Sequence, residues 1–191
     1  DTSRTNKYPN IEVRKLAMLS SCSLKMKKLA EAEEYCIKAL KKQPDNDQAL
    51  VIYSRIAHNQ GDYFLAEERW KEVLKKQPHH YSAKMGVARA CFKRGDFIEG
   101  EKIINDVIND DLHKHRIWPY IELINLTFNH LQDYEYTINT CRLLFENVGE
   151  DINQHLDILH IPVCHMGLSL SKLRRSKEAL DLINLHYLED P

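Results

Sequence analysis

The chain has 191 residues, 43% hydrophobic and 29% charged, a balance that allows a buried core and argues against disorder. Its 27 basic and 28 acidic side chains leave a net charge of -1, so no global field draws it to nucleic acid or to a membrane surface. No apolar run reaches the roughly 20 residues that a membrane helix needs, and five scattered cysteines without a CxxC pair fit buried thiols in a reducing, cytoplasmic setting better than a disulfide framework.

Residues 1–12 read as a flexible leader, and an opening Asp1 in place of Met reads as an interior point of a longer protein. Asn10 is placed to cap the first helix. From residue 13 onward the chain repeats. Lys41-Lys42-Gln43-Pro44 recurs letter for letter, 34 residues on, as Lys75-Lys76-Gln77-Pro78. The same offset links Ala32 with Ala66 and Gly100, and Gly61-Asp62-Tyr63 with Gly95-Asp96-Phe97. A period held at so many positions is the mark of a stacked-repeat architecture.

Each repeat predicts two helices. Ala49, Leu50, Tyr53, Ile56 and Ala57 recur at three- and four-residue steps, one face of a helix. Gly61 supplies the positive φ that ends it, and Tyr63, Ala66, Trp70, Val73 and Leu74 form the face of a second helix before Pro78. Units of this kind fall at 13–46, 47–80 and 81–114. Gln132-Asp133-Tyr134 repeats the turn three residues out of register and sets a fourth unit near 118–151. Arg174-Arg175-Ser176 sets a fifth near 160–191, with 152–159 as an insertion of extra helix or loop. Pro119 and Pro162 then fall in the first turn of their helices, where proline is tolerated.

The run Asn59-Gln60-Gly61-Asp62-Tyr63-Phe64-Leu65-Ala66, followed by Trp70 and Pro78, resembles the tetratricopeptide repeat family, with its small residue at the helix crossing and its proline near the end of the unit. The resemblance covers about 13–191 and implies an all-α, right-handed superhelical solenoid of about five helix-turn-helix repeats. It also implies a concave groove lined by the first helix of each unit, at the second, fifth, ninth, twelfth and thirteenth positions. Those positions hold Arg14, Ala17, Ser21, Leu24 and Lys25, then Gln48, Val51, Arg55, His58 and Asn59, then Ser82, Met85, Arg89, Phe92 and Lys93, with Glu122, Leu126 and Asn129 in the fourth unit.

Arg55 and Arg89, one repeat apart, suit an acidic protein or peptide segment, with Met85 and Phe92 as an apolar anchor. The bland alternative, arginines that are only solvated, stays open at this stage. Some relatives grip a chaperone C-terminal carboxylate with a clamp of lysines, asparagines and arginine; the matching positions here are Ala17, Ser21, Ile52, Ser82 and Gly86, which cannot serve.

No enzyme chemistry emerges from the sequence. Cys164-His165 are helix neighbours that diverge, and no third group orients the base. The ten histidines form no HExxH or Cys/His cluster, and no glycine-rich phosphate loop occurs, so neither metal nor cofactor is expected. Cys36 and Cys141, at the positions of Trp70 and Ile104, read as core fillers. The final helix is apolar on more than one face (Leu182, Leu185, Tyr187, Leu188), so further chain or a second copy is expected to cover it. The sequence therefore reads as a protein-binding adaptor, with a docking module of a larger enzyme or signalling protein as the alternative, and self-association as a third reading.

Overall fold

The structure is a computed structural model and describes residues 9–148 and 156–187. The described residues are all-α, with no strand. The helices are α1 (Pro9–Lys25), α2 (Leu29–Lys42), α3 (Asp47–Gln60), α4 (Tyr63–Lys76), α5 (Tyr81–Arg94), α6 (Phe97–Ile108), α7 (Ile117–Leu126), α8 (Tyr134–Val148), α9 (Leu156–Lys172) and α10 (Ser176–Tyr187). They fall into two compact units, Asp1–Gly100 and Glu101–Pro191.

One turn is used five times. Lys27, Gly61, Gly95, Gln132 and Arg174 all have positive φ and end the first helix of a hairpin. Behind four of them the next N–H reaches back five residues: Lys28 to Ser23 (2.9 Å), Asp62 to Ala57 (3.1 Å), Asp96 to Cys91 (2.9 Å) and Arg175 to Leu170 (2.8 Å). This satisfies carbonyls that a helix end leaves open. The fourth turn differs. Asp133 N–H reaches back six residues, to Thr127 (3.0 Å), because Thr127–Leu131 is a turn of π-helix. That π-turn inserts one residue into the hairpin, part of the three-residue slip seen in the sequence.

Five residues after each turn sits the small residue of the helix crossing: Ala32, Ala66, Gly100, Thr137 and Ala179. In the first unit, Ser20 Oγ donates to the Ala32 carbonyl at 2.6 Å, so α1 and α2 meet without a side chain between them. At Gly100 a Cβ would run into the Phe92 ring and lie 3.2 Å from the Ala88 carbonyl. In the second unit the buried Thr137 closes the hairpin with a hydroxyl pair, donating to Thr127 Oγ1 at 2.9 Å.

Hairpins join by a repeated thiol bond. Cys36 Sγ donates to the Ala49 carbonyl at 3.1 Å, and Cys141 Sγ to the Pro162 carbonyl at 3.4 Å. Ala49 and Pro162 both lie twelve residues before their turn residue, so the irregular α8–α9 junction in the second unit has the register of the regular α2–α3 junction in the first. The second unit is also fastened at Tyr120, which is fully buried; its hydroxyl donates to the Lys114 carbonyl (2.8 Å) and accepts from Asn147 Nδ2 (2.9 Å). Tyr120→Phe strands both partners and is expected to cost about 1–3 kcal/mol, read as a lowered midpoint in chemical denaturation.

Several boundaries differ from expectation. Helix α1 begins at Pro9, so residues 9–12 are helix and Asn10 lies inside the first turn rather than capping it. Pro119 is in the first turn of α7 as expected, but α9 starts at Leu156, which places Pro162 well inside the helix. Residues 156–159 of the expected insertion therefore extend α9. At the last helix Leu182 is half-buried, while the Leu185 and Tyr187 side chains and Leu188 lie outside the described residues.

Candidate functional site: the face of the first helices

Within the first unit, α1, α3 and α5 lie side by side, with α1 against α3 and α3 against α5. Arg14 and Lys25 on α1, Gln48, Arg55 and Asn59 on α3, and Arg89 and Lys93 on α5 are all exposed. Ser21, Leu24, Val51, His58, Ser82 and Phe92 are half-buried between them. Five cations and no carboxylate occupy the positions expected to line this wall. Arg55 makes no ion pair among the described residues; its backbone carbonyl accepts from Asn59 Nδ2 at 2.9 Å. His58 packs edge-on against Tyr63, ring centroids 5.3 Å apart.

One expected contributor is placed differently. Met85 is only 3% exposed, so its side chain packs into the interior and does not offer an apolar anchor. Phe92 is half-buried and rests on Gly100, filling the space a Cβ would take. Glu122, half-buried on α7, and Asn129, exposed in the π-turn, belong to the second unit. Leu126 is core there.

Several acids of the first unit form local pairs on the second helices, while Glu12 on α1 pairs with Lys42. On α2, Lys38 pairs with Glu34 and Lys28 with Glu31. On α4, Glu67, its side chain 10% exposed, pairs with Lys71 at 2.5 Å and with Arg94 from the end of α5. The Arg94 guanidinium also stacks on Phe64, 4.4 Å from the ring centroid. These groups border an open depression of about 380 Å³ along α4. This network is absent from the sequence expectations, although its signal is present in the repeat: Glu33 and Glu67, like Gln60 and Arg94, stand one period apart. Gln60 Nε2 donates to Glu33 at 2.8 Å in the same relation.

Burial pushes the thiols of Cys36 and Cys141 up to about 12 and that of Cys91 to about 11, so they stay protonated at neutral pH. Cys22 and Cys164 are exposed. A thiol reagent at pH 8 is expected to label Cys22 and Cys164 in the folded protein and all five cysteines only after unfolding, as peptide mass mapping would show. His80 has a structural role: its Nδ1 accepts from Ala83 N–H (3.1 Å) and caps α5, as Asn46 caps α3 one period earlier. His113 is buried rather than at the surface. His165 holds the Ile161 carbonyl (2.8 Å) and packs on Phe128. Among the described residues no group of three His, Cys, Asp or Glu could hold a metal ion, and no helix is long and apolar enough to cross a membrane.

Residues 59–106 match the family described as Tetratricopeptide repeat. No curated protein matches the chain in sequence. Among solved structures, MamA (residues 41 to the end) from Desulfovibrio magneticus is similar at 17% identity and a TM-score of 0.70, over 94% of this chain and 98% of that one. PilF of Pseudomonas aeruginosa is similar at 13% identity and 0.72, over 94% and 78%. A thermophilic tetratricopeptide-repeat protein of Thermus thermophilus is similar at 14% identity and 0.62, over 93% of each chain. At these identities the likeness is one of fold.

Proposed function

We propose that the protein is a non-enzymatic scaffold whose first unit holds an acidic, extended segment of a protein partner against α1, α3 and α5. The match of residues 59–106 to the tetratricopeptide repeat family, and the fold shared with its solved members, support a scaffold. The observation that carries the finer reading is the segregation of charge. The wall of first helices bears Arg14, Lys25, Arg55, Arg89 and Lys93 with no acid among its expected lining positions, while the second helices mix both signs in local pairs. A chain with a net charge of -1 concentrates positive potential in this way only by arrangement.

Guanidinium groups repeated one period apart match carboxylates spaced along an extended peptide, each able to take two parallel hydrogen bonds. The half-buried Val51, Leu24 and Phe92 supply apolar surface beside them. The backbones of α3 and α5 are held by packed hairpins, so the ordering that binding requires is confined to side chains. Partners captured by the protein should therefore be released steeply by salt, since exposed charge contacts weaken once the screening length falls below about 10 Å. Capture at low salt followed by stepwise elution tests this: elution of a segment rich in Asp and Glu before about 0.3 M salt supports the proposal, and retention of neutral or basic segments unaffected by salt sinks it.

A further inference from the structure

We propose that the exposed face of α4 is a second docking site, which takes an extended, arginine-bearing segment of a partner protein. It is separate from the wall of first helices and prefers the other sign of charge. The repeat shows what sets α4 apart. In α2 the exposed residues Ala30, Glu34 and Lys38 follow one another at four-residue steps, and Lys38 pairs with Glu34 at 2.5 Å. One period on, the same stripe of α4 holds Phe64, Glu68 and Glu72.

Two local rules are broken there together. A phenyl ring, 73% exposed, stands where α2 has alanine, and a second carboxylate stands where α2 has the lysine that neutralises the first. Like charges four residues apart are neighbours on a helix and weaken it. Glu68 and Glu72 are both exposed, and neither has an ion pair or hydrogen bond among the described residues. Such coincident departures, with no gain inside the fold, mark a place shaped for something else. Helix α4 has one hairpin before it and another after it, so neither end of the chain accounts for the open face.

The chain itself shows what the ring can hold. The Arg94 guanidinium lies over Phe64, 4.4 Å from the ring centroid, and is fixed there by Glu67. The other face of the ring opens on the depression of about 380 Å³, which Glu68 and Glu72 also line. Phe64 with Glu68 therefore offers an incoming arginine the same two partners, ring and carboxylate, that Arg94 already has. A planar guanidinium can stack on the ring and donate two parallel hydrogen bonds to the acid, which a lysine ammonium cannot. Glu72, one helical turn on, takes a second cation. Same-face residues of an extended chain recur every 7 Å or so, close to the roughly 5–6 Å between helix neighbours four apart. Lys71 and Arg94 are engaged by Glu67, and Lys75 stands beyond Glu72, so the stripe from Phe64 to Glu72 presents negative charge.

The peptide acetyl-Ala-Arg-Ala-Arg-Ala-amide, titrated into the whole chain and followed by backbone amide NMR shifts, tests this. Shifts are expected to concentrate on residues 64–75, and the peptide with lysine in place of arginine should bind at least about tenfold more weakly. Phe64→Leu, which keeps apolar bulk but removes the ring, and Glu72→Lys should each weaken the arginine peptide at least about tenfold. Because Glu72→Lys restores the pairing seen in α2, its unfolding midpoint without peptide should equal or exceed that of the wild type. Absence of shifts at 64–75, equal binding of the lysine peptide, or full binding by either variant overturns the proposal. So does a lowered midpoint of Glu72→Lys, which would put more of the same chain on this face. A wild-type mass that rises with concentration while that of Glu72→Lys does not would put a second copy there, and overturns it equally.

Discussion

Gly86→Ala is expected to destabilise the first unit by about 1–3 kcal/mol, although alanine is the better helix former. Gly86 lies on α5 beneath the indole of Trp70 from α4, and a Cβ there would overlap the ring, 2.6 Å from Cδ2. Trp70 is 3% exposed, so moving the ring disturbs packed neighbours. The cost therefore comes from displaced packing, which the gain of about 1 kcal/mol in helix propensity does not cover. Trp70→Ala alone should cost about 3–5 kcal/mol through the cavity it leaves. In that background Gly86→Ala should become neutral or stabilising, because the obstacle is gone. A double-mutant cycle by urea denaturation reads the reversal as a coupling of at least about 1 kcal/mol; equal costs in both backgrounds would show that the ring on the bare backbone does not hold α4 to α5.

Reversing Arg55 and Arg89 together to glutamate is expected to weaken partner binding by at least about 100-fold, since charged hydrogen bonds contribute about 1.5–3 kcal/mol each and about 1.4 kcal/mol is tenfold. Both residues are exposed and neither belongs to the core, so helicity and unfolding midpoint should move little. The wild-type affinity should fall with salt and that of the reversed protein should not. Charge-neutral Gln at the same places should give an intermediate loss. A reversed protein that binds as well as the wild type would leave the cations of α1, α3 and α5 as a solvated surface only.

The hairpins were legible in the sequence because their determinants are local. Gly61 and Gly95 mark positive φ directly, and Ala32, Ala66 and Gly100 mark the crossings. Lys27, Gln132 and Arg174 perform the same turn without the glycine signal, and only the Asp or hydrophobic residues around them disclose it. The register of α7 was blurred by the π-turn, which no residue type announces. Helix α9 runs through Pro162 even though proline usually sits near a helix start, so its beginning was misplaced.

The wall was less legible than the fold, because periodicity assigns a face but not its depth. Met85 shares its repeat position with the half-buried Val51, yet α5 packs against both α3 and α4, and Met85 is enclosed. The seat of Phe92 is written in the repeat: Gly100 stands where the two earlier units have alanine, and the extra room is what the phenyl ring fills. His80 could also have been recognised as a cap, since Asn46 stands one period before it. The Glu67–Arg94 contact required pairing residues 27 apart, a separation that belongs to neighbouring hairpins and to no single helix.

Photo-cross-linking tests the central claim most directly. A photoreactive residue in place of Gln48, exposed on α3 beside Arg55, and a second protein with the same residue in place of Glu72, exposed on α4, differ only in which side of the first unit they sample. The account predicts that position 48 captures a protein segment rich in Asp and Glu, that position 72 does not, and that Arg55→Glu with Arg89→Glu abolishes the adduct at 48. Equal capture at both positions, or adducts at 48 that survive the double reversal, would contradict it.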